Sequence, residues 1–270
     1  MAHITYHDVS HFQGAYVPTG PTCAKATEGT TFVDPEYAGI KRRTLAGGWP
    51  FLAYHWLHGN NVLSQVDFVI NTIGRGQPLM LDVERGGFNP TLANVYQFAD
   101  AFQRAGSRVT LAYIPRWYWQ EWGSPSLTGL TDRGIGLVSS YYTTYSDTGP
   151  GWDPYGGVYP VIWQFTDTPL DTNAFRGTQD ELAHLWRNGT NMSNGNWSAA
   201  DIDALIWRVE AMANMRDTIA GGNLRGTAVP FTAAIKRIPT TTVPPGPLTD
   251  ADVNRIANAV ADILAARLVS

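Results

Sequence analysis

The chain has 270 residues, of which 44% are hydrophobic and 16% charged, so it is long enough for one large α/β domain with a small appendage. Its net charge of −4 comes without a basic stripe, which gives no electrostatic support for nucleic-acid binding. Cys23 is the only cysteine, so an intrachain disulfide is impossible.

Strands and helices are predicted to alternate along the first 170 residues. Seven strands are predicted, at residues 4–9, 21–26, 51–56, 79–84, 109–114, 135–140 and 159–165. Helices are predicted in three of the connections, at residues 35–46, 62–73 and 90–105. This alternation indicates βαβ units and a parallel sheet, and its recurrence through so much of the chain favours a small β/α barrel over an open sheet.

Polar residues fall at or just past the C-terminal ends of these strands. They are Asp8, Glu28, His55, Asp82, Glu84 and Gln164. In barrel enzymes this edge carries the chemistry. Asp82 and Glu84 would point to the same side of a strand, with their Cα atoms about 6–7 Å apart. Two carboxyls that close suit glycoside hydrolysis, although a strand that turns acidic as it meets water explains this pair alone equally well.

The composition changes after the last predicted strand. Residues 188–197 form a polar linker, and residues 198–222 have the spacing of an amphipathic helix. A Pro/Thr-rich linker, 223–248, leads to a second amphipathic helix at 249–270. We expect this small helical region to target the substrate or to form homo-oligomers, with local docking on the barrel or partial disorder as the alternative.

Six short segments share their types and order with one family of enzymes. They are Asp8–Gln13 (DVSHFQ), Lys25–Gly29 (KATEG), Ala53–Trp56 (AYHW), Leu81–Glu84 (LDVE), Trp163–Thr166 (WQFT) and Asp171–Phe175 (DTNAF). Together they resemble glycoside hydrolase family 25, the lysozymes that cleave peptidoglycan as N-acetylmuramidases. The resemblance extends to about residue 177. It implies that residues 1–187 form a flattened, incomplete β/α (TIM-like) barrel with a negatively charged groove.

The resemblance also implies roles for four carboxyl groups. Glu84 would be the general acid and Asp82 its partner, with Asp8 and Asp171 in the same catalytic site. Asp167 competes with Asp171 for its role, because the segment after Gln164 is shorter than the family usually shows. The substrate's 2-acetamido group or an enzyme carboxylate would act as nucleophile, and the residues do not distinguish the two.

Seven further residues are predicted to contact the substrate. They are Glu28, Tyr54, His55, Tyr113, Trp117, Trp163 and Gln164. Glu28 could instead balance Lys25 as a buried pair, and the aromatic residues could instead fill the core. No metal or other cofactor is expected, because adjacent strand residues such as His7 and Asp8 face opposite ways and the chain has no cysteine cluster or HExxH motif.

The predicted function is cleavage, with retention, of the β-1,4 bond between N-acetylmuramic acid and N-acetylglucosamine in peptidoglycan glycan strands. The chain shows neither a signal peptide nor a membrane span, so we expect a phage endolysin made in the host cytoplasm and released to the cell wall by a holin. One alternative is a non-catalytic glycan-binding barrel on a phage particle or cell surface. Another is a chitinase-like enzyme, although that signature carries acids where this chain has Leu79 and Leu81.

Overall fold

The computed structural model describes residues 3–190. Most of the predicted linker at 188–197, both predicted C-terminal helices and the linker between them lie outside the described residues.

Nine strands and six α-helices make up the described part of the chain. The strands are β1 (Ile4–Val9), β2 (Thr22–Glu28), β3 (Phe32–Val33), β4 (Phe51–Trp56), β5 (Pro78–Asp82), β6 (Arg108–Tyr113), β7 (Gly136–Ser140), β8 (Pro160–Thr166) and β9 (Thr172–Phe175). The helices are α1 (Tyr37–Ala46), α2 (Val62–Ile73), α3 (Leu92–Arg104), α4 (Arg116–Glu121), α5 (Thr128–Asp132) and α6 (Gln179–Asn188). Two 3₁₀ helices lie at His11–Gln13 and Pro150–Trp152.

Eight of the strands form a closed barrel. Their order is β1-β9-β8-β7-β6-β5-β4-β2, and β2 pairs back to β1, while β3 pairs with the C-terminal end of β2, beyond the residues that pair with β1. The pairs are parallel except where β9 meets β1 and β8 and where β3 meets β2. The predicted β/α barrel is therefore confirmed. It is incomplete in its helical layer, because only a 3₁₀ helix lies between β1 and β2 and between β7 and β8.

Two helices begin two residues later than predicted, α1 at Tyr37 instead of residue 35 and α3 at Leu92 instead of residue 90. The carboxylate of Asp34 accepts the backbone N–H of His11 at 2.9 Å and that of Glu36 at 2.9 Å, and Glu36 occupies the N-cap position of α1. Thr91 caps α3 through a capping box with Asn94.

The two faces of the sheet bury different residues. Alternate residues of β5, Leu79 and Leu81, point outward and join a core with the apolar stripes of α2 and α3. The inward set of the barrel joins the apolar face of α6, whose Trp186 meets the ring of Tyr6 edge-on. The barrel interior is therefore a packed core at one end, and only the opposite end is left for a site.

The described unit continues slightly beyond the predicted domain boundary at residue 187. The carbonyl of Asn188 accepts a hydrogen bond from Arg108 at 3.1 Å. The N–H of Thr190 donates to the carbonyl of Gly134 at 2.7 Å. Residues 188–190 thus contact the barrel. Within residues 3–190, no helix is long and apolar enough to cross a membrane.

Candidate active site

Three neighbouring strands bring one row of inward residues together at the C-terminal end of the barrel. Trp56 of β4 pairs in register with Asp82 of β5, which pairs in turn with Tyr113 of β6. Residues paired in this way share a face of the sheet. The row therefore lies along one side of the mouth of the barrel, and the acidic side chains lie at the same end.

Asp82 is the most buried acid of this mouth. Its side chain belongs to a residue only 8% exposed, and its Oδ1 has no hydrogen-bond partner within residues 3–190. Burial raises the pKa of Asp82 well above its usual value, and the nearby charges of Glu84 and Asp8 add to this, while Lys25 opposes it. A desolvated carboxyl with a free oxygen is costly to the fold, which is typical of a functional group.

Glu84 lies just beyond the end of β5. The strand ladder continues for one residue, because the N–H of Val83 donates to the carbonyl of Tyr113 at 2.9 Å. Glu84 then emerges half-buried. Burial, followed by the charge of Asp8, raises the pKa of Glu84 to about 7. Because Asp82 and Glu84 influence each other, they titrate as a pair.

Two amides hold the carboxylate of Asp8. Its Oδ2 accepts hydrogen bonds from Asn173 Nδ2 at 2.6 Å and from Gln164 Nε2 at 3.1 Å. The Oε1 of Gln164 accepts in turn from the hydroxyl of Tyr142 at 3.0 Å. Burial raises the pKa of Asp8, whereas the two amide donors oppose that rise because they stabilise the charged form. Asp8 is thus positioned through one oxygen.

Asp171 lies beside Asp8, whereas Asp167 does not. The carbonyl of Asp171 accepts the N–H of Asp8 at 3.2 Å. Burial raises the pKa of Asp171 to about 7, with further contributions from Asp8, Asp167 and Glu84. Asp167 is exposed and accepts a hydrogen bond from Thr168 Oγ1 at 3.1 Å. The geometry therefore favours Asp171 as the fourth carboxyl of the site.

Lys25 introduces a cation into this acidic interior. The residue is 4% exposed, and its Nζ contacts the carboxylate of Glu28 and lies 4.6 Å from the ring centroid of Trp56. Glu28 also accepts from His58 Nε2 at 3.3 Å. Burial alone would raise the pKa of Glu28, but its hydrogen bonds with Lys25 and His58 bring it below the usual value. Glu28 is thus engaged as an ion-pair partner.

The family model of the glycosyl hydrolases family 25 matches residues 7–173, a span that contains all four carboxyls. The chain belongs to glycosyl hydrolase family 25. It is therefore a glycoside hydrolase, as the resemblance predicts, and the non-catalytic alternative is not supported. No curated protein matches the chain.

Solved structures of muramidases and lysozymes share the fold. The chain is 24% identical to a muramidase from Trichobolus zukalii, with a TM-score of 0.57 over 68% of this chain and 99% of that one. A family 25 lysozyme from Aspergillus fumigatus is 21% identical, with a TM-score of 0.56 over 68% of this chain and 99% of that one. A lysozyme from Streptomyces coelicolor is 21% identical, with a TM-score of 0.57 over 70% of this chain and 98% of that one.

Two of the predicted substrate contacts face away from the mouth of this family 25 barrel. His55 is 0% exposed on the outer face, where its ring stacks on Phe98. Trp163 is likewise buried outside the barrel, packed edge-on against Trp152. The prediction neglected alternation: Tyr54 and Gln164 point inward, so His55 and Trp163, which adjoin them, must point outward.

The other predicted contacts lie inside or beside the mouth. Tyr54 and Tyr113 are buried in the interior cluster, and Gln164 binds Asp8. Trp117 is 44% exposed on α4, and the guanidinium of Arg85 lies 5.9 Å from its ring centroid. Trp117 therefore offers an open aromatic surface beside the loop that follows Glu84.

Asn173 is a site residue that the sequence analysis missed. It lies in the quoted segment Asp171–Phe175, two residues after Asp171, and the same alternation that pairs Asp82 with Glu84 indicates a shared face. Sequence gave no sign that this polar segment forms the strand β9.

The two histidines near Asp8 have separate partners. His7 Nδ1 is 2.8 Å from the hydroxyl of Tyr16, and His11 Nδ1 is 2.9 Å from Asp34. In the part of the chain that the structure describes, no group of three or more potential ligands is arranged to hold a metal ion.

Proposed function

We propose that this family 25 enzyme cleaves the β-1,4 bond between N-acetylmuramic acid and N-acetylglucosamine in peptidoglycan, with Glu84 as general acid. The observation that carries the proposal is the coupled pair at the barrel mouth, in which half-buried Glu84 has a pKa of about 7 next to buried Asp82. Solved structures of the same fold include enzymes named as muramidases and lysozymes, which supports glycan strands of the cell wall as the substrate.

Glycosidic cleavage needs a proton for the leaving oxygen and negative charge beside an oxocarbenium-like centre. Glu84 is suited to the first task, because a carboxyl with a pKa of about 7 is still about half protonated at neutral pH and this one lies partly open to solvent. Asp82, the neighbouring carboxyl deeper in the mouth, would supply the second in its ionised form. Asp8, whose charge its two amide donors favour, helps to keep the proton on Glu84.

The Oδ1 of Asp82 is an acceptor without a hydrogen-bond partner among the described residues 3–190. The 2-acetamido group of the substrate carries an N–H donor that would satisfy this oxygen. Asp82 would then orient the acetamido oxygen for attack on the anomeric carbon, or Asp82 would attack that carbon itself. Both routes give retention, so NMR of the first-formed anomer tests the shared prediction, and an inverted product would exclude both.

Analysis of the reducing ends of digested peptidoglycan tests the activity and the bond together. We expect new N-acetylmuramic acid ends from purified cell walls and none from chitin. New N-acetylglucosamine ends, or release of ends from chitin alone, would refute the proposed specificity. Intact walls after prolonged incubation with folded protein would refute the activity.

For the cellular role, we propose lysis of a bacterial host from within by a phage enzyme. The expectation rests on the sequence analysis and on the proposed wall substrate. Expression in a susceptible host, with and without an agent that permeabilises the inner membrane, tests it. Lysis is expected only after the membrane opens, and lysis at the same rate without the agent would contradict dependence on a holin.

A further inference from the structure

A cleft outside the mouth of the barrel lies between the N-terminal halves of α2 and α3. Its volume is about 290 Å³, and its lining includes Asn61, Leu63, Ser64, Asn94 and Gln97. The two helices pack on the outer face of the sheet and follow β4 and β5, whose C-terminal ends carry Trp56 and Asp82 at the mouth. The cleft therefore lies at the same end of the barrel as the acids, but outside the ring of strands.

The lining of the cleft is polar and carries no charged residue. It offers three carboxamides, one hydroxyl and the side chain of Leu63, which is 53% exposed. A carboxamide both donates and accepts hydrogen bonds. That of Asn61 makes no capping hydrogen bond to α2, and Gln97 is exposed, so both are available to a ligand. Such a lining fits a neutral sugar with hydroxyl and acetamido groups better than an ion or an apolar molecule.

One loop, residues 85–89, runs from the catalytic residues to this cleft. It begins directly after Glu84, and its Gly87 carbonyl accepts the N–H of Gly59, which lines the cleft, at 2.8 Å. A Cβ at Gly59 would collide with the carbonyl oxygen of Phe88, so only glycine permits this close approach. The loop therefore provides a short surface along which a glycan strand at the mouth reaches the cleft.

Phe88 presents an aromatic ring on this loop. The residue is 73% exposed, and one side of its ring lies near His58, with 6.1 Å between the ring centroids. Its backbone has a φ of 61°, and φ is also positive at Asn89 and at Asn61. Within residues 3–190, three of the four non-glycine residues with positive φ thus adjoin the cleft. An exposed ring on a strained backbone is typical of a segment that binds a ligand.

We propose that the cleft and the ring of Phe88 form an accessory site for an N-acetylglucosamine residue of the glycan strand, beyond the sugars at the cleaved bond. This inference rests on the proposed function for its substrate. N-acetylglucosamine fits better than N-acetylmuramic acid, because the lining offers no cation to the acidic lactyl-peptide substituent of the latter. A contact remote from the reacting atoms stabilises substrate and transition state equally, so the site lowers KM and leaves kcat unchanged.

Titration of the full-length protein with the tetramer of N-acetylglucosamine tests the site directly. This chitin fragment is not expected to be cleaved, so ¹⁵N NMR of the side-chain carboxamides reports binding alone. The signals of Asn61, Asn94 and Gln97 should shift. Gln97→Leu should weaken binding at the cleft roughly three- to tenfold, whereas Gln103→Leu, near the C-terminal end of α3, should not. Unshifted carboxamides, or shifts confined to residues of the mouth, would overturn the proposal.

Kinetics on chains of different length test whether the site serves the proposed reaction. Phe88→Ala should raise KM for long soluble glycan strands roughly three- to tenfold with kcat unchanged, and it should leave both constants unchanged for the shortest chain that is cleaved. Phe88→Tyr, which keeps the ring, should retain the parent values. An equal rise in KM for long and short chains, or a loss of kcat, would overturn the accessory role. A parent enzyme that cleaves no glycan would instead refute the proposed function, and the NMR titration would still decide whether the cleft binds the sugar.

Discussion

Two polar networks lie on opposite faces of the same strands, and they differ in how well their atoms are satisfied. On the outer face of the barrel, Nδ1 of His55 in β4 accepts from Thr27 Oγ1 at 2.8 Å, and its Nε2 donates to Gln65 Oε1 at 3.0 Å. Gln65 also binds the N–H and the carbonyl of His58, each at 2.9 Å. On the inner face, Asp82 of β5 has an oxygen without a hydrogen-bond partner in the part of the chain that the structure describes, and it has three acidic neighbours.

The difference separates stability from chemistry. The outer network contains neutral groups, since burial lowers the pKa of His55 to about 4, and it fixes the turn that follows β4. The inner network keeps several carboxyls buried and close to one another. Burial and mutual repulsion make this arrangement unfavourable for folding, but they shift the pKa values of the carboxyls in a way that is useful for proton transfer. Substitutions on the outer face should therefore lower the free energy of unfolding, and substitutions on the inner face should lower activity.

Glu84→Gln should show the largest effect, and it acts on activity alone. Loss of a general acid costs on the order of 10²–10⁴-fold in rate. Glu36→Gln on the outside of the barrel is the matched control and should keep the parent rate. Reducing-end release from cell walls, normalised to folded protein, is the measurement. Digestion by Glu84→Gln at the parent rate would show that the acid has been assigned to the wrong residue.

Gln65→Met should show the opposite pattern. It leaves His55 and both backbone groups of His58 without their partner, and each buried unsatisfied group costs about 1–3 kcal/mol. We expect the free energy of unfolding in urea to fall by about 3 kcal/mol, with kcat/KM per folded molecule unchanged. A normal unfolding midpoint together with impaired catalysis would place this network in the active site instead.

Asn173→Leu should lower activity less than Glu84→Gln does. The variant keeps the size of the side chain and removes a donor to the charged Asp8, a hydrogen bond worth about 1.5–3 kcal/mol. The pKa of Asp8 should rise, so the acidic limb of the kcat/KM profile should move upward while the rate near neutral pH changes little. Gln164→Met, which removes the other donor, should act in the same direction. A uniform loss at every pH would indicate a role only in folding.

Strands β4 and β5 could be predicted from sequence, because a run of apolar residues is enough to indicate a buried strand. Strand β9 could not, because Thr172 and Asn173 are polar and the strand depends on its antiparallel partners β1 and β8. The start of α1 was also predicted two residues too early.

Asp8, Asp82 and Glu84 could be predicted because each lies at or just past the end of a strand, and parallel strands gather their ends at one edge. Asp171 was predicted from the family resemblance alone. His55 and Trp163 were placed wrongly because proximity to a strand end was weighed without the direction of the side chain. The amide donors to Asp8 could not be predicted, since they depend on how far β8 and β9 bring Gln164 and Asn173 across the barrel.

The stability of Glu84→Gln as a function of pH tests most directly whether the fold holds this acid against its ordinary tendency to ionise. The folded pKa of Glu84 is raised from 4.5 to about 7, so the folded state binds the extra proton and the free energy of unfolding should fall as pH rises between these values. The variant lacks this titration. Relative to the parent, Glu84→Gln should gain about 2–3 kcal/mol between pH 4.5 and 7, after solvent screening is allowed for, and nothing further above that range. Parallel stability curves for the two proteins would contradict the account.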